Sequence, residues 1–342
     1  MQTKLSMKLS EFDYHLPKEL IAQSPVEPRD ASKLMVLGQK IEHGSFSNIL
    51  DHFEKGDTLV LNDSRVIPAK LTGKKSTGGH VEALVVSKND AGHVCLIRGK
   101  NIHEGSILNF GDLEATVLQL LERPNTNRYL VKFNCNGNLP DILEKIGEAP
   151  LPPYIKSRLD NKNRYQTVYS REKGSIAAPT AGLHFTKELL ERIKAKGVNI
   201  AYVTLHVSLG TFTPVKAPDI ETHVMEAEYI SVRKENAEII NTTPGKVIAA
   251  GTTTAKALES SCIEGKIVEN EGFSQLFIYP PYRFKSRIDA MITNFHLPKS
   301  TLLMLVSAFA GRERLMEAYN EAISQSYRFY SFGDAMLVFR GK

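Results

Sequence analysis

Short apolar runs that close on polar clusters recur along the chain and set its expected architecture. Thr58-Leu-Val-Leu-Asn62 is apolar through its middle and ends in Asn62-Asp63-Ser64-Arg65 before Pro68, which predicts a short buried strand with polar groups at its carboxyl end. The runs Val198 to Val207, Lys246 to Ala250, Gln275 to Tyr279, Asp289 to Thr293 and Ala335 to Phe339 predict further strands. Helical spacing alternates with them. Leu189, Leu190 and Ile193 fall on one face of a helix over 187–196 with Thr186 as its N-cap. A second helix is expected from about Ala255, after the turn Gly251-Thr252-Thr253-Thr254, and a third over Thr301 to Gly311 behind Ser300. Pro17 to Gln23 is a short helix candidate, and Glu226 and Glu228 share one face if their segment is a strand, whereas a loop would scatter them.

From about Val66 to Cys135 the texture changes to short alternating runs broken by glycine: Val81 to Val86, His93 to Ile97, Ser106 to Phe110, Ala115 to Gln119 and Tyr129 to Phe133. Five strands at such close spacing predict a small barrel. Lys70, Lys74 and Lys75 beside Gly78-Gly79 read as a solvated hairpin tip, with phosphate contact as the alternative. Three prolines within Pro150 to Tyr154 mark a hinge back into the first domain. The expected fold is therefore two-domain α/β: a mixed-sheet α/β domain of residues 1–65 and 150–342, with a small β-barrel domain inserted over 66–149.

Composition narrows the class only a little. The chain has 342 residues, a formal charge of +5 and no Trp, so any stacking on nucleobases would fall to Tyr, Phe, His or Arg. Cys95, Cys135 and Cys262 are too far apart and too few for a disulfide framework or a zinc site, and read as buried thiols. With no apolar run long enough to span a membrane and no signal-peptide pattern, the chain is expected in the cytoplasm. Residues 1–6 read as an upstream extension of a natural beginning at Met7. Lys156 to Arg164 reads as exposed loop, and Arg29 with Asp30 as a surface ion pair or an arginine held for an anion.

The chemistry centres on residues 174–186, Gly-Ser-Ile-Ala-Ala-Pro-Thr-Ala-Gly-Leu-His-Phe-Thr, a run of small side chains that lets a ligand approach backbone and that feeds a helix N-terminus. Four sequence-distant clusters, around Asn62, His184, Thr252 and His296, end strands or open helices, with His206 as a fifth. Their convergence would make a cleft able to move protons near neutral pH. The G-x-S-x-G, H-E-x-x-H and P-loop patterns are absent, and nothing in the sequence points to a metal.

The strings Leu20-Ile-Ala-Gln23, Leu61-Asn-Asp-Ser-Arg-Val-Ile-Pro-Ala69, Pro150-Leu-Pro-Pro-Tyr-Ile155, Tyr165-Gln-Thr-Val-Tyr169, Ala177-Ala-Pro-Thr-Ala-Gly-Leu-His-Phe185, Thr293-Asn-Phe-His-Leu-Pro298 and Gly333-Asp-Ala-Met336 span nearly the whole chain. Together they resemble the S-adenosylmethionine:tRNA ribosyltransferase-isomerase family of queuosine biosynthesis. The resemblance implies transfer of the ribosyl moiety of S-adenosylmethionine to 7-aminomethyl-7-deazaguanine at the tRNA wobble position. Adenine and methionine leave, the sugar is isomerised, and epoxyqueuosine-tRNA results. It implies S-adenosylmethionine as a consumed co-substrate with no recycled cofactor, tRNA as partner, no membrane, and a monomer.

Under the resemblance His184 and His296 are the first proton-transfer candidates, with His206 and Glu228 next. Thr180, Gly182, Thr252 and Thr253 would bind the nucleoside or methionine portion, and Asn62, Arg65 and Asn294 substrate or tRNA. The sequence departs from the family's usual pattern at four positions. Lys256 stands for an Arg, Glu226 for a His, and Ser208 and Pro281 for glycines, and Lys256 would replace a bidentate contact by a point charge. A methyltransferase and a non-catalytic tRNA-binding module are the competing readings.

Overall fold

The computed structural model describes residues 7–123, 126–135, 137–157, 159, 161–208, 215, 217 and 219–341; residues 1–6, read above as an extension, lie outside them. The chain divides into two compact units, one of residues 1–65 and 152–342 and one of residues 66–151.

The larger unit is built on a nine-stranded sheet in the order Asn270–Ser274, Glu228–Val232, Asn199–Leu205, Thr58–Asn62, Val247–Ala250, Ala290–Asn294, Ala335–Phe339, Lys33–Leu37 and Ile41–Ser45. The four strands from Asn199–Leu205 to Ala290–Asn294 run parallel, and Ala335–Phe339 returns antiparallel to Ala290–Asn294. The carboxyl ends at Asn62, Leu205, Ala250 and Asn294 therefore lie along one edge of the sheet. The amino end of Ala335–Phe339 joins them through the Asn294–Ala335 pair.

Both faces of these central strands are covered, which is why they read as continuous apolar runs rather than alternations. Leu59, Leu61, Ile248 and Ile292 point into one core with Phe185, Leu189 and Ile193, so the Lys187–Ala195 helix lies across that face. Thr186 caps it by accepting from the Leu189 N–H at 3.0 Å. Ser300 does the same for Leu303 at 3.2 Å and opens Thr301–Ala310.

The second unit holds a closed six-stranded barrel, with strands Thr126–Asn134, Gly92–Arg98, His80–Asn89, Lys70–Lys75, Ile107–Phe110 and Leu113–Arg123 in that order. The strand not foreseen is Lys70–Lys75. Its three lysines disguised it, yet Leu71 is buried, Lys70 pairs with Glu82 at 3.0 Å, and Lys75 donates to the Lys100 carbonyl at 2.9 Å.

Other expectations shift. Gln275 to Tyr279 is not a strand; the strand is Asn270–Ser274, and Leu276 and Phe277 turn inward to line a cavity. The Thr252–Ser260 helix begins three residues before Ala255, directly on Gly251. Glu226 precedes the strand that starts at Glu228. Cys135 is half-buried, whereas Cys95 and Cys262 are buried. Arg164 is buried rather than exposed, bonded to Glu27 and to the Val26 carbonyl at 2.5 Å. Arg29 makes no ion pair with Asp30 among the described residues and donates instead to the carbonyls of Leu183 at 3.2 Å and Asn163 at 3.1 Å.

Candidate active site

Parallel α/β sheets place ligands beyond the carboxyl ends of their strands, and the polar clusters meet there. Past Ala250 the chain turns through Gly251, whose φ of +102° favours glycine, straight into the Thr252–Ser260 helix. No side chain caps that helix, so the first-turn N–H groups by Thr252 and Thr253 keep their donor capacity. Thr252 and Thr253, with Thr180 from the Thr180–His184 turn and Asn294 and His296 from beyond the Ala290–Asn294 strand, line one cavity of about 30 Å³. That volume holds little more than ordered water. A wider cavity of about 650 Å³ beside Lys40, Arg314 and Arg340 lies at the other end of the strands and contains none of these residues.

Asn294 is the best-determined polar group of the site. Its Nδ2 donates to the Tyr330 carbonyl at 3.1 Å and to His184 Nε2 at 3.2 Å, which fixes the amide orientation. Its Oδ1 is buried and has no hydrogen-bond partner among the described residues. Because His184 Nε2 accepts, the ring proton sits on Nδ1 and is given to Ser32 Oγ at 2.7 Å. His184 stacks on Phe46 at 4.9 Å, and burial with the nearby guanidiniums of Arg328, Arg164 and Arg29 pushes its pKa down to about 3. It stands behind Asn294 with both nitrogens engaged. Ser32 is 152 residues away in sequence, and no local pattern marks it as a partner.

His296 lines the cavity itself. Its Nε2 meets Thr293 Oγ1 at 2.7 Å, and burial lowers its pKa to about 3. The main chain around it is held on both sides. The His296 N–H donates to Tyr319 Oη at 2.9 Å, and Tyr14 Oη donates to the His296 carbonyl.

Other predicted residues sit elsewhere. Asn62 lies one layer back, with Nδ2 on the Leu205 carbonyl at 3.0 Å and Thr253 Oγ1 at 3.2 Å and with Oδ1 accepting from Ser64 and Leu205 N–H, each at 3.1 Å. Its capacity is filled and it positions Thr253. Arg65 donates to Ser170 Oγ at 3.1 Å and does not line the cavity. Gly182 also lies outside it, and a Cβ there would fall 2.1 Å from Tyr169 Oη.

His206 faces a separate, open groove of about 440 Å³ with Lys173, Tyr229 and Arg233. It stacks on Tyr229 at 5.1 Å and meets Ser64 Oγ at 2.7 Å through Nδ1, and burial lowers its pKa. Glu228 pairs with Lys256 at 2.9 Å, both buried, beside a smaller cavity of about 20 Å³ that shares Thr252, Thr253 and Leu302 with the first.

The family model described as queuosine biosynthesis protein matches residues 9–338. The chain belongs to the queuosine biosynthesis protein family. A curated relative, the S-adenosylmethionine:tRNA ribosyltransferase-isomerase of Acetivibrio thermocellus, is 52% identical over 344 residues, covering 97% of this chain and 100% of the relative. The crystal structure of the S-adenosylmethionine tRNA ribosyltransferase of Thermotoga maritima is 40% identical and covers 96% of this chain and 100% of its own, with a TM-score of 0.55. Within the queuosine biosynthesis family the chain is an enzyme, a ribosyltransferase-isomerase, with the mixed α/β sheet and inserted barrel expected from its sequence. No described helix is long and apolar enough to cross a membrane.

Proposed function

We propose that the chain moves the ribosyl portion of S-adenosylmethionine onto the aminomethyl group of 7-aminomethyl-7-deazaguanine at the tRNA wobble position and rearranges the sugar, giving epoxyqueuosine-tRNA, adenine and methionine. S-adenosylmethionine is consumed rather than recycled, and the enzyme works as a cytoplasmic monomer on tRNA. One observation carries this reading: the partnerless Oδ1 of Asn294, a residue that lines one cavity with Thr180, Thr252, Thr253 and His296. A buried acceptor without a donor costs about 1–3 kcal/mol, a cost that a ribose hydroxyl or the exocyclic amine of adenine removes on binding.

The chemistry needs a base, an acid and a neutral amine. The sulfonium acidifies the neighbouring methylene, so a proton must be taken from carbon while adenine's departure needs one delivered. His296 lines the cavity and is the imidazole placed to take the proton from carbon and to return it to the leaving adenine. His184 acts through Asn294, whose amide it orients. His206 borders the separate groove of about 440 Å³ and takes the proton that the aminomethyl group of the tRNA base gives up before attacking. Asn62 positions Thr253, and Arg65 and Gly182 shape the surrounding turns.

Incubation with S-adenosylmethionine and tRNA bearing the modified base, followed by chromatography, tests the proposal. Free adenine and methionine in equal amounts are expected. S-adenosylhomocysteine would mean methyl transfer, and unconsumed S-adenosylmethionine a binding module; either overturns it.

A further inference from the structure

Lys256 and Glu228 form an ion pair of 2.9 Å in which both side chains are almost fully buried. Such a pair adds little net stability to a fold, because removing two charges from water offsets their attraction. The small cavity it borders has one apolar side, with Met225, Phe277, Leu302 and Leu305, and one threonine side, with Thr252, Thr253 and Thr301. Lys256 lines that cavity together with Thr252 and Thr253 of the first turn of the Thr252–Ser260 helix, as expected of a helical side chain that leans toward the N-terminus. Glu228 Oε1 accepts from the Ser208 N–H at 2.9 Å, so the carboxylate is held from a second side.

We propose that Lys256 and Glu228 form a clamp for an α-amino acid zwitterion, and that this cavity receives the methionyl portion of S-adenosylmethionine. The ligand carboxylate takes the Lys256 ammonium and the first-turn N–H groups of the helix. Its ammonium takes Glu228, so each buried charge exchanges one partner for another of the same sign and none is left unpaired. As the walls of this cavity of about 20 Å³ part, Met225, Phe277 and Leu305 enclose the S-methyl and methylene groups, and a sulfonium cation beside an aromatic ring is a favourable contact. Thr252, Thr253 and Leu302 belong to both cavities, which places the sulfonium at the junction and its ribosyl and adenine groups toward Asn294 and His296. Lys256 and Glu228 are then binding residues that select the amino-acid end of the substrate.

The proposal rests on S-adenosylmethionine being the substrate, and its test separates the two. Equilibrium binding is measured for S-adenosylmethionine, its decarboxylated form and 5′-methylthioadenosine, with wild type, Lys256→Met and Lys256→Arg. Wild type is expected to prefer S-adenosylmethionine over the decarboxylated form by tenfold or more. Lys256→Met should erase that preference while leaving affinity for 5′-methylthioadenosine within twofold, and Lys256→Arg should keep it. Wild type binding all three equally overturns the clamp and leaves the substrate reading standing. A Lys256→Met protein that keeps the preference, or weakens for all three ligands alike, also overturns the clamp. Wild type binding none of them overturns both. The wild-type comparison needs no variant, so it decides even where Lys256→Met folds poorly.

Discussion

Asn294 gives its two Nδ2 hydrogens to His184 Nε2 and the Tyr330 carbonyl, so its Oδ1 is left as a buried acceptor without a partner among the described residues. Replacing Asn294 by Asp puts a carboxylate oxygen against two acceptors, a repulsion that eases when the carboxyl or His184 takes up a proton. Asn294→Asp should therefore bind S-adenosylmethionine more weakly at pH 8 and recover part of its affinity toward pH 6. Asn294→Leu should lose roughly ten- to a hundredfold in affinity at every pH, matching about 1–3 kcal/mol for the lost hydrogen bond. Titration calorimetry across that range checks both, and a flat profile for the Asp variant would show that His184 does not hold the amide.

His296 and His184 should separate kinetically. His296→Ala should lower adenine release by about 10² to 10⁴, the usual contribution of a positioned proton-transfer group. His184→Ala should act chiefly on substrate affinity by freeing Asn294. Unchanged turnover in His296→Ala, with folding checked by circular dichroism, would remove that residue from proton transfer.

Acid should unfold the enzyme through the same two imidazoles. Burial holds His184 and His296 at about 3, below the ordinary 6.5, so the folded state keeps them neutral while the unfolded chain protonates them. Their contribution to stability is complete above 6.5 and is lost as pH falls from there toward 3, by about 1.4 kcal/mol per pH unit for each group. Asp63 and Asp334 oppose this from above 3.8, because burial raises both of them. The difference between wild type and His296→Gln cancels that opposition. Urea denaturation at pH 5 and pH 6 should show a slope shallower by about 1.4 kcal/mol per unit in the variant.

How far the sequence discloses the site follows from the range of the interactions. Thr58 to Asn62, the helix behind Thr186 and the cap at Ser300 are written in local order, because burial on both faces and side-chain capping act over a few residues. The small-residue loop and Asn294 stand out by residue type alone, and the fold brings them to one cavity. Ser32 beneath His184 and Glu27 beneath Arg164 were not, since those partners lie 152 and 137 residues apart and meet only in the tertiary fold. The Lys70–Lys75 strand hid behind its charge: Lys74 is exposed and Lys70 and Lys75 are half-buried, while Leu71 enters the barrel core. The tight cavity was also not foreseeable, because strand order places residues at an edge without fixing how closely the edge is packed.

The last test probes the turn that presents Thr180. Gly182 lies against Tyr169, whose Oη is buried without a hydrogen-bond partner among the described residues, and a Cβ on residue 182 would come within 2.1 Å of that oxygen and 2.8 Å of Thr167 Cγ2. Gly182→Ala should therefore cost about 1–3 kcal/mol through overpacking. Tyr169→Phe removes the crowded oxygen and an unsatisfied buried hydroxyl together, so alone it should be neutral or stabilising. In the double variant the methyl group gains the room the hydroxyl vacates, although Thr167 still crowds it. The pair should cost less than the sum of the single changes, by at least 0.5 kcal/mol or so for residues in direct contact. Thermal melts of the four proteins measure this coupling, and strict additivity would show that the Tyr169 hydroxyl is not what keeps residue 182 a glycine.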